Sequence, residues 1–119
     1  MKVHIYYSFR ENAYGGANQF LKAIKIFLEE QGKYAYTVED ADIILFNSMN
    51  EYDELLKIKK KYPDKIFVHR VDGPCKLYNT MTDIRDDLVY ILNALVADAT
   101  VFQSEYSKKK SIEMGCPHK

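Results

Sequence analysis

What this sequence lacks narrows it first. Its 17 basic and 17 acidic side chains cancel, leaving no net charge. A nucleic-acid clamp normally carries a strong basic excess against the phosphate backbone, so nucleic acid is not an expected partner. There are two cysteines, Cys75 and Cys116, and three histidines, at positions 4, 69 and 118. Neither set has the close spacing of a zinc site or a redox pair; no metal or cofactor is expected, and both thiols should be reduced. No apolar run approaches the ~20 residues that cross a bilayer. The opening Met1-Lys2-Val3-His4 is strand-like rather than leader-like, which argues against secretion and for a cytoplasmic location. Internal repeats, low-complexity tracts and linkers are also missing.

What remains is 119 residues, 47% hydrophobic and 29% charged, the composition of an ordinary soluble globule. A chain of this size buries roughly two-thirds of its unfolded surface, enough for a core without disulfide or metal staples. One domain spanning 1–119 is expected.

Short β-rich runs alternate with longer helical periods. Val3 to Tyr7 reads as a strand by its β-branched and aromatic content. From Ala17 to Gln31 the apolar residues Phe20, Leu21, Ile24, Phe27 and Leu28 recur at helical spacing, and Gly32 supplies the stop. Tyr34 to Val38 reads as a second strand. The continuous apolar run Ile43 to Phe46 suits a parallel strand buried on both faces. Tyr52 to Tyr62 predicts an exposed helix ended by Pro63, and Lys65 to His69 a fourth strand leading into the turn Asp72-Gly73-Pro74. Asp83 to Ala97 predicts a helix with a stripe of Ile84, Leu88, Ile91, Leu92 and Leu95. A fifth strand follows from Ala99 to Gln103. Ser104 is placed to cap a last helix that stops at Gly115.

Strands alternating with helices imply right-handed crossovers and a three-layer α/β/α sandwich around a mostly parallel sheet of about five strands. Ligands of such sheets sit outside the carboxyl ends of the strands. That rule points to the loops after Tyr7, Phe46, His69 and Gln103, and three of them carry candidate residues. In the first loop, the pair Gly15-Gly16 opens a helix N-terminus, whose free N–H groups attract phosphate or carboxylate. The dinucleotide fingerprint and the P-loop pattern are both missing, and a plain tight turn explains the glycines equally well. In the second, His69, Arg70 and Asp72 bring an imidazole, a guanidinium and a carboxylate within four residues. They suit acid–base work, hydroxyl binding and a forked grip on an anion. In the third, Gln103, Ser104 and Glu105 open onto the same edge. The lysine runs 59–61 and 108–110 read as solvated helix faces, and a membrane-surface contact has no support from the neutral total. Tyr14 and Tyr78 fall in ligand-side loops, where they can stack on a sugar or base.

Together, the stretches Ala13–Leu21, Val68–Pro74 and Ala97–Ser107 resemble, in order and spacing, the amino-terminal domain of GT-B glycosyltransferases of the GT4-like type. The resemblance spans nearly the whole chain and implies a Rossmann-like domain that forms the acceptor-side half of a two-domain enzyme. It implies a nucleotide-sugar donor, a hydroxyl acceptor, and a cleft completed by a complementary domain. By motif position, Gly15 and Gly16 would approach donor phosphates, and Asn18 would bind substrate. Arg70 would bind substrate, His69 and Asp72 would line the cleft at the reacting sugar, and Ser104 and Glu105 would border it. The carboxyl-terminal donor-binding domain has no counterpart in these residues, so the chain is expected to be inactive alone. A second reading is a non-catalytic Rossmann-like module that binds a ligand or self-assembles, for instance as a homodimer. A third, a receiver-like phosphoacceptor domain, is weak: the first strand ends in Tyr7-Ser8 rather than an acidic pair.

Overall fold

The alternation of β-rich and helical periods becomes, among the described residues of the computed structural model, four parallel strands and four helices. The structure describes residues 1–9, 15–72 and 85–117. In chain order the elements are β1 (Val3–Tyr6), α1 (Gly15–Glu30), β2 (Ile43–Asn47), α2 (Tyr52–Lys61), β3 (Ile66–Val71), α3 (Arg85–Val96), β4 (Ala99–Phe102) and α4 (Glu105–Glu113). The sheet runs β1-β2-β3-β4 with every pairing parallel. The α/β, Rossmann-like expectation therefore holds, with four strands rather than about five.

The strand expected over Tyr34 to Val38 shrinks to a single parallel bridge between Tyr34 and Val3. Val3 donates to the Lys33 carbonyl and accepts from Ala35, at 2.9 and 2.8 Å. Beyond that bridge, His4 Nδ1 takes the Ala35 carbonyl at 2.8 Å, a group that a longer ladder would need. The segment still matters for topology. Val3 also pairs with Ile43 of β2, so Tyr34 lies on the outer edge of β1. The chain thus leaves β1 in one direction and returns past it to β2, and the order reverses at the β1/β2 boundary. Such a reversal puts helices on opposite faces and opens a crevice at the strand ends.

The core follows that division. On one face α1 packs Leu21 over Ile5 and Tyr34. On the other, α2 and α3 bring Leu55, Leu92 and Val96 onto Ile44, Phe46 and Phe67. The two faces are unequally covered. Beside α1, the residues Leu45, Val68 and Val101 line an open apolar groove of about 290 Å³. The expectation that β2 is sealed on both sides is therefore met on the α2/α3 face only, since Ile43 and Leu45 stay half-buried. The buried face of α3 is also rotated from the expected stripe. Val89, Leu92, Asn93 and Val96 are buried, while Ile91 and Leu95 are more than half exposed. The turn of helix that faces the sheet is the one that delivers Asn93 to it.

Helix ends follow local chemistry. Gly32 and Gly115 adopt φ of 67° and 103°, a region that only glycine enters without strain. Each closes a Schellman motif: Lys33 and Gly32 donate to the Leu28 and Glu29 carbonyls, and Cys116 and Gly115 to those of Ser111 and Ile112. Ser104 caps α4 by accepting from the Ser107 N–H at 3.1 Å. The Asp72-Gly73-Pro74 turn, the start of the Asp83 helix, Cys75, Tyr14, Tyr78 and His118 involve positions outside the described residues.

The asymmetry between the faces has a measurable consequence. Phe46→Ala, on the covered face, is expected to cost about 3–5 kcal/mol in urea unfolding, whereas Val101→Ala, on the open face, should cost below about 1 kcal/mol. Equal losses would show that the two faces are equally packed.

Candidate functional site

The carboxyl ends of β2 and β3 converge on Ser48. Its φ of 46° is left-handed, an uncommon and strained conformation for a residue with a Cβ. Three interactions hold it there. Its N–H donates to the Arg70 carbonyl at 2.8 Å, its own carbonyl accepts from His69 Nε2 at 2.8 Å, and its hydroxyl donates to Asp72 Oδ2 at 2.8 Å. Glu51, three residues on, is also left-handed, at φ 61°. Non-glycine residues kept in such conformations cluster at ligand-binding sites, because the surrounding network must over-determine them.

His69 is fully buried and stacks on Phe46, with ring centroids 4.4 Å apart and planes at 13°. Because Nε2 donates to the Ser48 carbonyl, Nδ1 is the bare acceptor, and the Asn93 amide donates to it at 3.0 Å. The other N–H of that amide donates to Thr100 Oγ1 at 2.8 Å. Burial pushes the imidazolium down, to about 4, against smaller upward pulls from the Ser48 carbonyl and the Asp72 charge. The ring is thus a neutral, single-tautomer strut joining α3, β3 and the loop after β2. Both of its nitrogens are engaged within the fold, and the ring is closed off from solvent.

Arg70 and Asp72 do face that edge. Arg70 Nη1 donates to Asp72 Oδ1 at 2.7 Å and to Asn47 Oδ1 at 2.8 Å. The Asn47 amide returns a hydrogen bond to Asn50 Oδ1 at 3.2 Å, with a longer one to Asp72 Oδ2 at 3.4 Å. The Arg70 side chain is 8% exposed and that of Asp72 is 36% exposed. A nearly buried guanidinium paired with a half-open carboxylate makes a net-neutral ion pair at the strand ends. Only Nη1 is engaged; the other N–H donors of Arg70 have no partner among the described residues.

α1 reaches the same place. The Arg70 guanidinium lies 4.6 Å from the centre of the Phe20 ring in the second turn of α1, which ties the helix's amino-terminal end to the end of β3. Gly15 and Gly16 form the first turn. A Cβ at Gly16 would meet nothing within 4 Å, so packing does not demand glycine there. Asn18, also in the first turns of α1, is fully buried. Just past β4, Gln103 donates to the Val71 carbonyl at 3.3 Å, so Ser104 and Glu105 follow at the carboxyl end of that strand. Both are exposed, and the Ser104 oxygen is committed to its cap.

Of the residues expected at the site, Gly15, Gly16, Arg70, Asp72, Ser104 and Glu105 therefore lie at one end of the sheet, while His69 sits beneath it and Asn18 is buried in α1. Sequence reasoning placed the loop after Phe46 on this edge but singled out none of Asn47, Ser48 and Asn93. The first two had a usable signal: they end the apolar run 43–46, at the carboxyl end of a parallel strand. Asn93 is a polar residue on an otherwise apolar helix face, and nothing in sequence names its partner. No group of three or more His, Cys, Asp or Glu residues suited to a metal ion occurs among the described residues. Nor is any helix among them long and apolar enough to cross a membrane. Comparisons with protein-family models, with curated proteins and with solved structures return no match.

The buried imidazole makes stability pH-dependent in a defined direction. Its folded pKa, about 4, lies below the ordinary value of 6.5, so the unfolded chain binds the proton first. The contribution is complete above pH 6.5 and is lost as pH falls through 4, reaching about 3 kcal/mol. Urea unfolding at pH 7 and pH 4 should show that loss in the native chain and a clearly smaller one in His69→Gln, whatever that variant's stability at pH 7.

Proposed function

We propose that the strand-end edge is one wall of a glycosyl-transfer cleft, taking a nucleotide-sugar donor and a hydroxyl acceptor. The observation that carries this reading is the Arg70–Asp72 pair beside the glycine-led N-terminus of α1. Helix N–H groups and the free guanidinium donors suit a diphosphate. Asp72, with Ser48 behind it, suits the hydroxyls of a sugar. In this reading His69 acts through Ser48, as a positioning residue, and Asp72 contacts substrate. The described residues supply one wall, and transfer needs donor and acceptor enclosed together. A complementary domain or subunit would provide the other wall, and the chain by itself would turn over no sugar nucleotide.

A non-catalytic module that self-associates is the second reading, and the open apolar groove beside α1 favours it. Amide NMR with UDP-glucose and GDP-mannose separates the two. The cleft reading expects saturable shifts at Gly16, Ser48 and Asp72, weakened at least tenfold in Arg70→Met while Arg70→Lys retains part of the response. Silence at those amides, together with a concentration-dependent dimer in light scattering, would replace it with the module.

A further inference from the structure

A second cavity, of about 350 Å³, lies beside β1 and is distinct from the Arg70–Asp72 edge. Its charged walls come from helices on opposite faces of the sheet. α1 contributes Lys25, and the start of α2 contributes Glu51 and Glu54. Between them lie aromatic rings: Tyr34 is buried, Tyr6 and Phe9 are half-buried and Tyr36 is exposed.

The charges on these walls are held in place yet left unpaired. The Lys25 ammonium sits 5.3, 5.4 and 6.0 Å from the ring centres of Phe9, Tyr34 and Tyr36, and it makes no ion pair among the described residues. Ser8 donates to Glu51 Oε1 and the Tyr6 phenol donates to Glu54 Oε2. Each bond orients its carboxylate and leaves the second oxygen without a partner among the described residues. The Tyr36 phenol is anchored outward on Glu29, which holds its ring in position. An ammonium and two carboxylates thus face one aromatic-lined space without neutralising one another.

We propose that this cavity binds a small zwitterion, a free α-amino acid, with its carboxylate on Lys25, its ammonium on Glu51 and Glu54, and its side chain against the rings. A simple cation would leave Lys25 facing a like charge, and a simple anion would do the same to the two carboxylates. An amino acid complements both walls, and the volume exceeds what its atoms require. The assignment does not depend on the glycosyl-transfer reading, because Arg70, Asp72 and Ser48 take no part in it; Glu51 alone lies in the loop that also carries Ser48.

The test is an amide NMR titration of the intact chain with L-serine, L-leucine and L-phenylalanine at millimolar concentration. At least one should give saturable shifts at Tyr6, Ser8, Lys25 and Tyr36. The corresponding amine without carboxylate, and the acid without ammonium, should each bind at least tenfold more weakly. Lys25→Met should remove the preference over the amine, and the double variant Glu51→Gln/Glu54→Gln the preference over the acid; unchanged shifts elsewhere would certify each fold. Lys25→Arg, which keeps the charge, should retain the preference. Absence of saturable shifts with all three amino acids overturns the proposal, as does equal binding of zwitterion and single-charge analogues.

Discussion

The Ser48 carbonyl is the point on which the strand-end architecture depends. A backbone oxygen at the end of a strand, on a residue turned left-handed, would otherwise point into a protein interior with no ladder partner. An orphaned buried carbonyl costs about 1–3 kcal/mol, and the left-handed turn adds a cost of its own. His69 meets that carbonyl from inside the core, and in doing so it must stay neutral and keep one tautomer. Asn93 sets the tautomer and Thr100 sets Asn93, so one chain of hydrogen bonds runs from β2 through β3 and α3 to β4. Burial, the largest influence on the imidazole, is what makes the arrangement rigid: charging it would break the pattern of donors and acceptors together.

That buried strut explains the exposed chemistry above it. With Ser48 locked, its hydroxyl can orient Asp72, and Asp72 with Asn47 can hold Arg70 in a fixed direction. A guanidinium on a free surface would sample many rotamers; here two oxygens and the Phe20 ring confine it. The polar edge is thus an outcome of core packing. Topology supplies the remaining requirement. Reversal of the strand order at β1/β2 sends α1 to one face and α2 to the other, and their amino-terminal ends flank the crevice.

Much of this was legible in the sequence, and the failures have physical causes. Gly32, Gly115 and Ser104 act within one turn of helix, so local chemistry alone predicted where the helices end and begin. The short Tyr34 strand misled because a β-rich run reports propensity, whereas the His4 ring, brought next to it only by folding, takes the carbonyl that would extend the ladder. The α3 stripe misled for a related reason. A helix with apolar residues on most sides has several faces it can bury, and the one that packs here carries Val89, Leu92 and Val96 together with Asn93, which bonds His69.

The sequence by itself determined the alternation of strand and helix, the parallel sheet that alternation forces, and the edge at which polar residues collect. Those properties depend on neighbours a few positions apart and on the handedness of crossovers. Only the tertiary structure decided which of those polar residues face outward. His69, Arg70 and Asp72 lie within four positions of one another, yet the first is sealed beneath the site, the second is nearly buried and the third is half open. Alternation along a strand separates their directions. Which direction is core and which is solvent depends on α1, α2 and α3, whose contacts with β3 span tens of residues along the chain.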